Sequence, residues 1–138
     1  MNINFRKIFQ IISYVQYPMG IISFYFFIKD DFNTFLIFLG LGMSFSTLQD
    51  TTKTQTKLDR IIMESPKKGK IFLVLTSIMT FIAIIYGLFG YIISENEKIK
   101  ELSVGLIVFG IGLISLLKTG VEMFENHRKD KNTTANKV

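Results

Sequence analysis

The 138-residue chain contains no cysteine, which excludes disulfide frameworks, thiolate zinc sites and cysteine nucleophiles. Its single histidine, His127, stands in a charged segment without a visible acid, base or ligand partner, and reads as a solvated side chain. Charge is also scarce, at 20% of residues, where an average soluble domain approaches about a quarter. Four stretches hold no Asp, Glu, Lys, Arg or His at all: 8–28, 32–48, 71–93 and 102–117. Lacking intramembrane carboxylates or other ionisable groups, the chain is a poor candidate for a coupled transporter or proton-driven pump. The carboxylates Asp50 and Asp59 fall out of phase on one helix, so they make a weak metal pair or acid/base couple.

What is present is apolar bulk: 49% hydrophobic residues, with 21 isoleucines and 14 phenylalanines gathered into blocks. A bilayer core needs roughly 20 apolar residues per helix, because a peptide group left unsatisfied in lipid costs several kcal/mol. The four blocks hold 21, 17, 23 and 16 residues. The expected fold class is therefore all-α, a polytopic membrane protein with four transmembrane helices in two hairpins. Residues 1–130 form a single domain in this reading, 49–70 is a cytoplasmic connection, and 131–138 is a disordered tail with nothing to bury. The first block exceeds a signal-peptide core and lacks a small-x-small cleavage site, so it is expected to be retained.

Thirteen of the sixteen Lys and Arg residues fall before the first block, between the second and third, or after the fourth. Such bias predicts that both termini and the connection are cytoplasmic, in a bacterial-type plasma membrane. Lys67, Lys68 and Lys70, with Arg128, Lys129 and Lys131, are expected to set topology and attract anionic lipid head groups. Nucleic-acid binding is not expected, since four spans leave no room for a domain to present these residues.

Local signals refine the picture. Asp30 or Asp31 is expected to cap the second helix, Ser65-Pro66 to open the third, and Ser94 with Glu97 to box the fourth. Leu48, Gln55, Leu58 and Ile62 suggest that the second helix continues into the connection as far as Pro66, against the β-branched threonines between 51 and 56. Lys7-Ile8-Phe9 resembles Lys70-Ile71-Phe72, and Gly40-Leu41-Gly42 resembles Gly110-Ile111-Gly112. These matches read either as a tandem duplication of a two-span unit or as coincidence in an Ile-, Phe- and Gly-rich chain.

Three groups of residues are candidates for a role. Gln16, Tyr17 and Pro18 place polar groups near the middle of the first span, as an interhelical hydrogen bond beside a kink or as the lining of a pore or lipid groove. Gly40, Gly42, Ser46, Ala83, Gly87, Gly110 and Gly112 are small residues that let helices approach closely, within one chain or between copies. Asp50 and Lys118 follow the second and fourth spans at similar depth, as an ion pair or as two separately snorkelling groups. Tyr25 and Tyr91 read as interfacial anchors.

No catalytic, cofactor-binding or metal-binding set is found. The expected function is that of a small non-catalytic accessory, regulatory or immunity-like protein acting through helix contacts with another membrane protein or with itself. The alternatives are a small channel or facilitator for an uncharged or lipid-like ligand, and a holin-like lesion former.

Overall fold

The computed structural model describes residues 5–53 and 56–130, and these are helical throughout apart from short connections. Helix α1 (Phe5–Ser13) and helix α2 (Gln16–Ile28) follow one another across a two-residue turn. Helix α3 (Phe32–Ser44) tightens into a 3-10 turn at Phe45–Leu48. A short helix α4 (Lys57–Met63) precedes the two longest, α5 (Pro66–Ile93) and α6 (Glu97–His127). Three segments, Phe5–Ile28, Pro66–Ile93 and Glu97–His127, are long and apolar enough to cross a membrane; Phe32–Leu48 is apolar but has 17 residues. At about 1.5 Å per residue α5 and α6 reach roughly 42 and 46 Å, beyond the hydrocarbon thickness of about 30 Å.

The ends of these helices follow from local chemistry. Asp30 adopts φ 58°, and the amides of Asp30 and Asp31 donate back to the carbonyls of Phe27 and Phe26, closing α2 with a Schellman turn in which aspartate takes the usual glycine place. Asp31 then caps α3, accepting the Thr34 amide at 3.1 Å. Ser65 caps α5, with Pro66 in the first turn.

Two helix boundaries differ from those expected of the sequence. Helix α6 is capped by Asn96, which accepts the Lys98 amide at 3.0 Å, and Ser94 instead accepts the Asn96 amide. The second apolar helix does not continue into the connection. Asp50 takes both the amide and the hydroxyl of Thr52 on one carboxylate oxygen, a local turn that competes with helix, and Thr56 with Asp59 forms a capping box that starts α4 afresh. Gln55 lies outside the described residues, as does the 131–138 tail expected to be disordered. Arg128 and Lys129 are not loose: the Lys129 amide donates to the Glu64 carbonyl at 3.2 Å.

The long helices lie side by side in a row, α2–α3–α6–α5, with α6 and α3 at its centre. Contacts along the row fix the chain directions. Gly105 meets Asn33 and Leu36, Gly112 meets Gly40, and Thr119 meets Ser46, so α3 and α6 run parallel. Phe26 stacks on Phe38 near one end while Gly42 meets Met19 further along, so α2 is antiparallel to α3; Gly90 beside Ser103 and Gly69 beneath Phe124 make α5 antiparallel to α6.

These seams are made of small side chains. Gly105, Gly112 and Thr119 recur every seven residues on the α6 face turned to α3, and Gly69, Thr76, Ala83 and Gly90 do the same on the α5 face turned to α6. Seven residues are close to two helical turns, which keeps each set on one face. A Cβ added to Gly112 would fall on the Gly40 backbone, and one added to Gly40 would lie 2.5 Å from the Val108 carbonyl oxygen. Large apolar side chains point the other way: Ile21 and Ile92 are 73% and 75% exposed. A compact apolar cluster exists at one end, where Met63 of α4 packs on Met123 and Phe124 of α6.

Replacement of Gly112 by Val should force α3 from α6 and lower the unfolding midpoint in detergent, since overpacking costs ~1–3 kcal/mol even where side chains can yield. Gly20 has open space around its Cα. Gly20→Ala should leave the midpoint unchanged or raise it, by up to about 1 kcal/mol.

Candidate functional site

Helix α1 ends and α2 begins because of Pro18. Without an amide hydrogen, Pro18 leaves the Tyr14 carbonyl without its regular helical donor. That carbonyl accepts the Tyr17 amide instead, at 3.1 Å, and the amides of Tyr14 and Val15 reach only three residues back, to Ile11 and Ile12. The result is a tightened break at Tyr14–Val15 with the two tyrosine rings stacked, centroids 6.2 Å apart.

Beside the break lies a cleft of about 310 Å³. Gln16 and Tyr17 of α2 line one wall, Leu39 and Met43 of α3 another, and Leu116 of α6 contributes from behind. Gly42 lets the walls meet, since a Cβ there would be 3.1 Å from Met19 Cβ. Ser46, Gln49, Thr56 and Asp59 line the end nearest α4. Of the expected trio, Gln16 and Tyr17 thus line one cleft, while Pro18 shapes the backbone next to it.

The hydroxyls of Ser13, Ser23, Thr76, Thr80 and Ser103 are buried and donate to carbonyls of their own helices at 2.7–2.8 Å. Ser46 differs. It is 2% exposed and its hydroxyl has no hydrogen-bond partner among the described residues, although its carbonyl accepts the Thr119 hydroxyl at 3.1 Å. The Asn33 side-chain oxygen, against Gly105, is also buried and unpartnered.

The small residues singled out from sequence all take part in contacts inside the chain. Gly40 and Gly112 join α3 to α6, Gly42 faces α2, Ser46 faces α6, Ala83 and Gly87 of α5 are buried, and Gly110 lies on Ile84. Asp50 and Lys118 have different partners. Lys118 reaches Glu122 one turn on, at 3.5 Å. Hydrogen bonds from Thr52, first its hydroxyl and then its amide, hold the Asp50 carboxyl below the usual range, with Arg6 and Lys53 adding positive potential.

Sequence reasoning passed over several residues. Gln10 accepts the Asp50 amide through its side-chain oxygen at 2.5 Å, tying α1 to the connection. Gln49, Thr56 and Asp59 line the cleft from 33 or more residues beyond Gln16, and no spacing in the sequence announces it. The seven-residue recurrence of small residues in α5 and α6 was available as a signal. Among the described residues, no group of three or more His, Asp or Glu side chains is placed to hold a metal ion. The cleft offers amides, hydroxyls and one carboxylate, a set suited to hydrogen bonding.

No family model matches this chain, and no curated protein or solved structure matches it either.

At the α4 end, Glu64 accepts Lys129 Nζ at 2.9 Å and Arg60 Nε at 2.8 Å. The Lys129 hydrogen bond, followed by that from Arg60, holds the Glu64 carboxyl below the usual glutamate range. The associated stability is present above that range and is lost as pH falls through the depressed value. Hydrogen exchange at the Lys129 amide should accelerate, relative to the intrinsic rate, as pH falls below the ordinary glutamate range. Glu64→Gln should raise this exchange at neutral pH and remove its pH dependence, with the α5–α6 amides unchanged.

Proposed function

We infer that the chain is a four-span integral membrane protein of the plasma membrane, with both termini cytoplasmic, which works without catalysis through helix contacts with a membrane partner. The observation that carries this reading is the row α2–α3–α6–α5. Among the described residues the outer helix α2 packs chiefly on α3, and α5 on α6 and the short α4, with no extensive contact between α2 and α5. Apolar side chains cover both flanks, as Ile21, Phe81 and Ile92 illustrate, and this is a surface for lipid or for another membrane helix.

The threading is supported by the charge distribution around the row. Arg6, Lys7, Lys53, Lys57, Arg60, Lys67, Lys68, Lys70 and Lys118 belong to the end formed by α4, the start of α1 and the close of α6; Asp30, Asp31, Glu95, Glu97 and Glu101 belong to the opposite end. Positive residues are retained in the cytoplasm during insertion, which makes the α4 end cytoplasmic. In this reading Phe32–Leu48 crosses despite its 17 residues, by local thinning of the bilayer and by the shelter of α2 and α6 on either side.

The absence of native cysteine makes single-cysteine labelling unambiguous. Lys7→Cys, Lys67→Cys and Glu122→Cys should react with a membrane-impermeant maleimide only from the cytoplasmic face, and Asp30→Cys and Glu95→Cys only from the other. Labelling of positions 7 and 122 from opposite faces would exclude four spans. Reconstituted in liposomes, the protein should pass neither ions nor small neutral solutes; a solute-selective flux abolished by Gln16→Leu would instead establish the facilitator reading, which the lining of the cleft by Gln16 and Tyr17 favours.

A further inference from the structure

Helix α1 sorts its side chains by kind around its axis. At about 100° per residue, Arg6, Lys7 and Ser13 fall within about 60° of Gln10, while Ile11, Ile8, Ile12, Phe5 and Phe9 fill the sector from about 100° to about 260° away. The polar sector is the one turned to the protein. Gln10 accepts the Asp50 amide through its side chain and Ser13 is buried. Arg6 and, from the edge of the other sector, Phe9 line a small cleft with Leu48, Gln49 and Asp50. The apolar sector is turned outward, with Phe5 and Ile11 64% and 67% exposed. This is the reverse of a helix lying on a protein in water.

The outward face stands level with the charged rim of the bundle. The Ser46 carbonyl accepts the Thr119 hydroxyl and the Thr51 carbonyl accepts the Asn126 side-chain amide, which sets Asp50 between Thr119 and Asn126 along α6. Glu122 and Glu125 occupy that stretch, and Lys118 precedes it. Since Gln10 is tied to Asp50, α1 lies at the same level. Helices α2 and α3 have 13 residues each and match as the arms of a hairpin, so α1 is an extension past it, alongside the 3-10 turn. The tightened break at Tyr14–Val15 separates α1 from α2. Tyr14 and Tyr17 stack at this junction, where rings with a polar tip favour a membrane surface.

Charge sets what covers the face. Helix α1 carries Arg6 and Lys7 and no Asp or Glu. The two cations fall at the borders of the apolar sector, Lys7 beside Ile11 and Arg6 beside Phe9. From there long side chains reach head groups while the apolar sector sinks below them. A second copy of the chain would bring the same cations to the contact, whereas an anionic leaflet complements them. A 9-residue helix is also marginal in water by itself, so a surface that takes its apolar face holds it folded.

We propose that α1 is a membrane-surface helix: Phe5, Ile8 and Ile12 enter the boundary between head groups and acyl chains, and Arg6 and Lys7 take the phosphates of anionic phospholipids. The proposal rests on the reading of the chain as an integral membrane protein, and the threading decides only that the leaflet is the cytoplasmic one.

The full chain in nanodiscs of phosphatidylcholine, with or without a third of phosphatidylglycerol, tests it. Hydrogen exchange at the amides of Phe9–Ser13 should be about tenfold slower with phosphatidylglycerol, a difference that two surface cations can supply. The α6 amides should not change, and high salt should remove the difference. Arg6→Gln combined with Lys7→Gln should exchange equally in both discs. The chain has no native cysteine, so a fluorophore on Ile8→Cys reports depth. It should be quenched more by a lipid carrying a nitroxide near the head group than by one carrying it near the chain end. Equal exchange of the unaltered chain in the two discs would overturn the proposal. So would an Ile8 probe quenched by neither lipid, the mark of a protein cover or of open water, or one quenched best near the chain end, the mark of a buried span. Maleimide labelling of positions 7 and 122 from opposite faces would exclude four spans and leave these results standing, because discs expose both leaflets.

Discussion

Two helices can touch backbone to backbone only where both lack side chains, and the arrangement of this protein depends on that condition at Gly40 and Gly112. There the two central helices, α3 and α6, run parallel with no room for a methyl group between them. Close approach increases dispersion contact over many atoms at once, which is the force available between helices when both sides of the contact are equally apolar. The same device recurs at Gly105 beneath Asn33 and at Gly87 and Gly110 between α5 and α6. Remove the small residues and the row loses its centre, whatever the outer helices do.

The row in turn explains an inverted pattern of burial. In a water-soluble domain the large aliphatic and aromatic residues go inside; here, apart from Leu113 and the Met63–Met123–Phe124 cluster, the buried residues are glycine, serine, threonine and alanine, and many of the isoleucines and phenylalanines face out. Such a surface suits an apolar solvent, in keeping with the three segments long and apolar enough to cross a membrane. The hydroxyls among the buried residues bond to carbonyls one turn back on their own helices, so that burial leaves few polar groups without partners. Among the described residues the exceptions are the Ser46 hydroxyl, the Asn33 side-chain oxygen and Arg128 Nε.

At one end the row acquires a second kind of order. Helix α4 packs Met63 on Met123 and Phe124, and Glu64 binds both Arg60 and Lys129. Gln10 reaches from α1 to the Asp50 amide, and Asn126 of α6 reaches the Thr51 carbonyl at 3.3 Å. This end is thus held by polar contacts between segments distant in sequence, and Asp59 of α4 and its cap Thr56 contribute to the lining of the cleft.

Reading the sequence was sufficient for the features that depend on neighbours along the chain. The absence of charge from four blocks marked apolar helices, three of them in segments long enough to cross a membrane, Pro18 marked the break, and Asp31 and Ser65 marked helix starts, because a cap or a proline acts within one turn. The α4 boundary was less accessible, since Asp50, Thr52, Thr56 and Asp59 compete locally with helix through side-chain hydrogen bonds that composition alone does not rank. Asn96 took the cap expected of Ser94 for the same reason. What only the tertiary structure decided was which helices are neighbours: the order α2–α3–α6–α5, the pairing of Gly40 with Gly112, and the gathering of Gln16, Ser46, Gln49 and Asp59 around one cleft. Apolar blocks of equal greasiness pack equally well in many orders, and the choice among them rests on shape complementarity at a few small residues, which is a property of pairs of surfaces and not of any one segment.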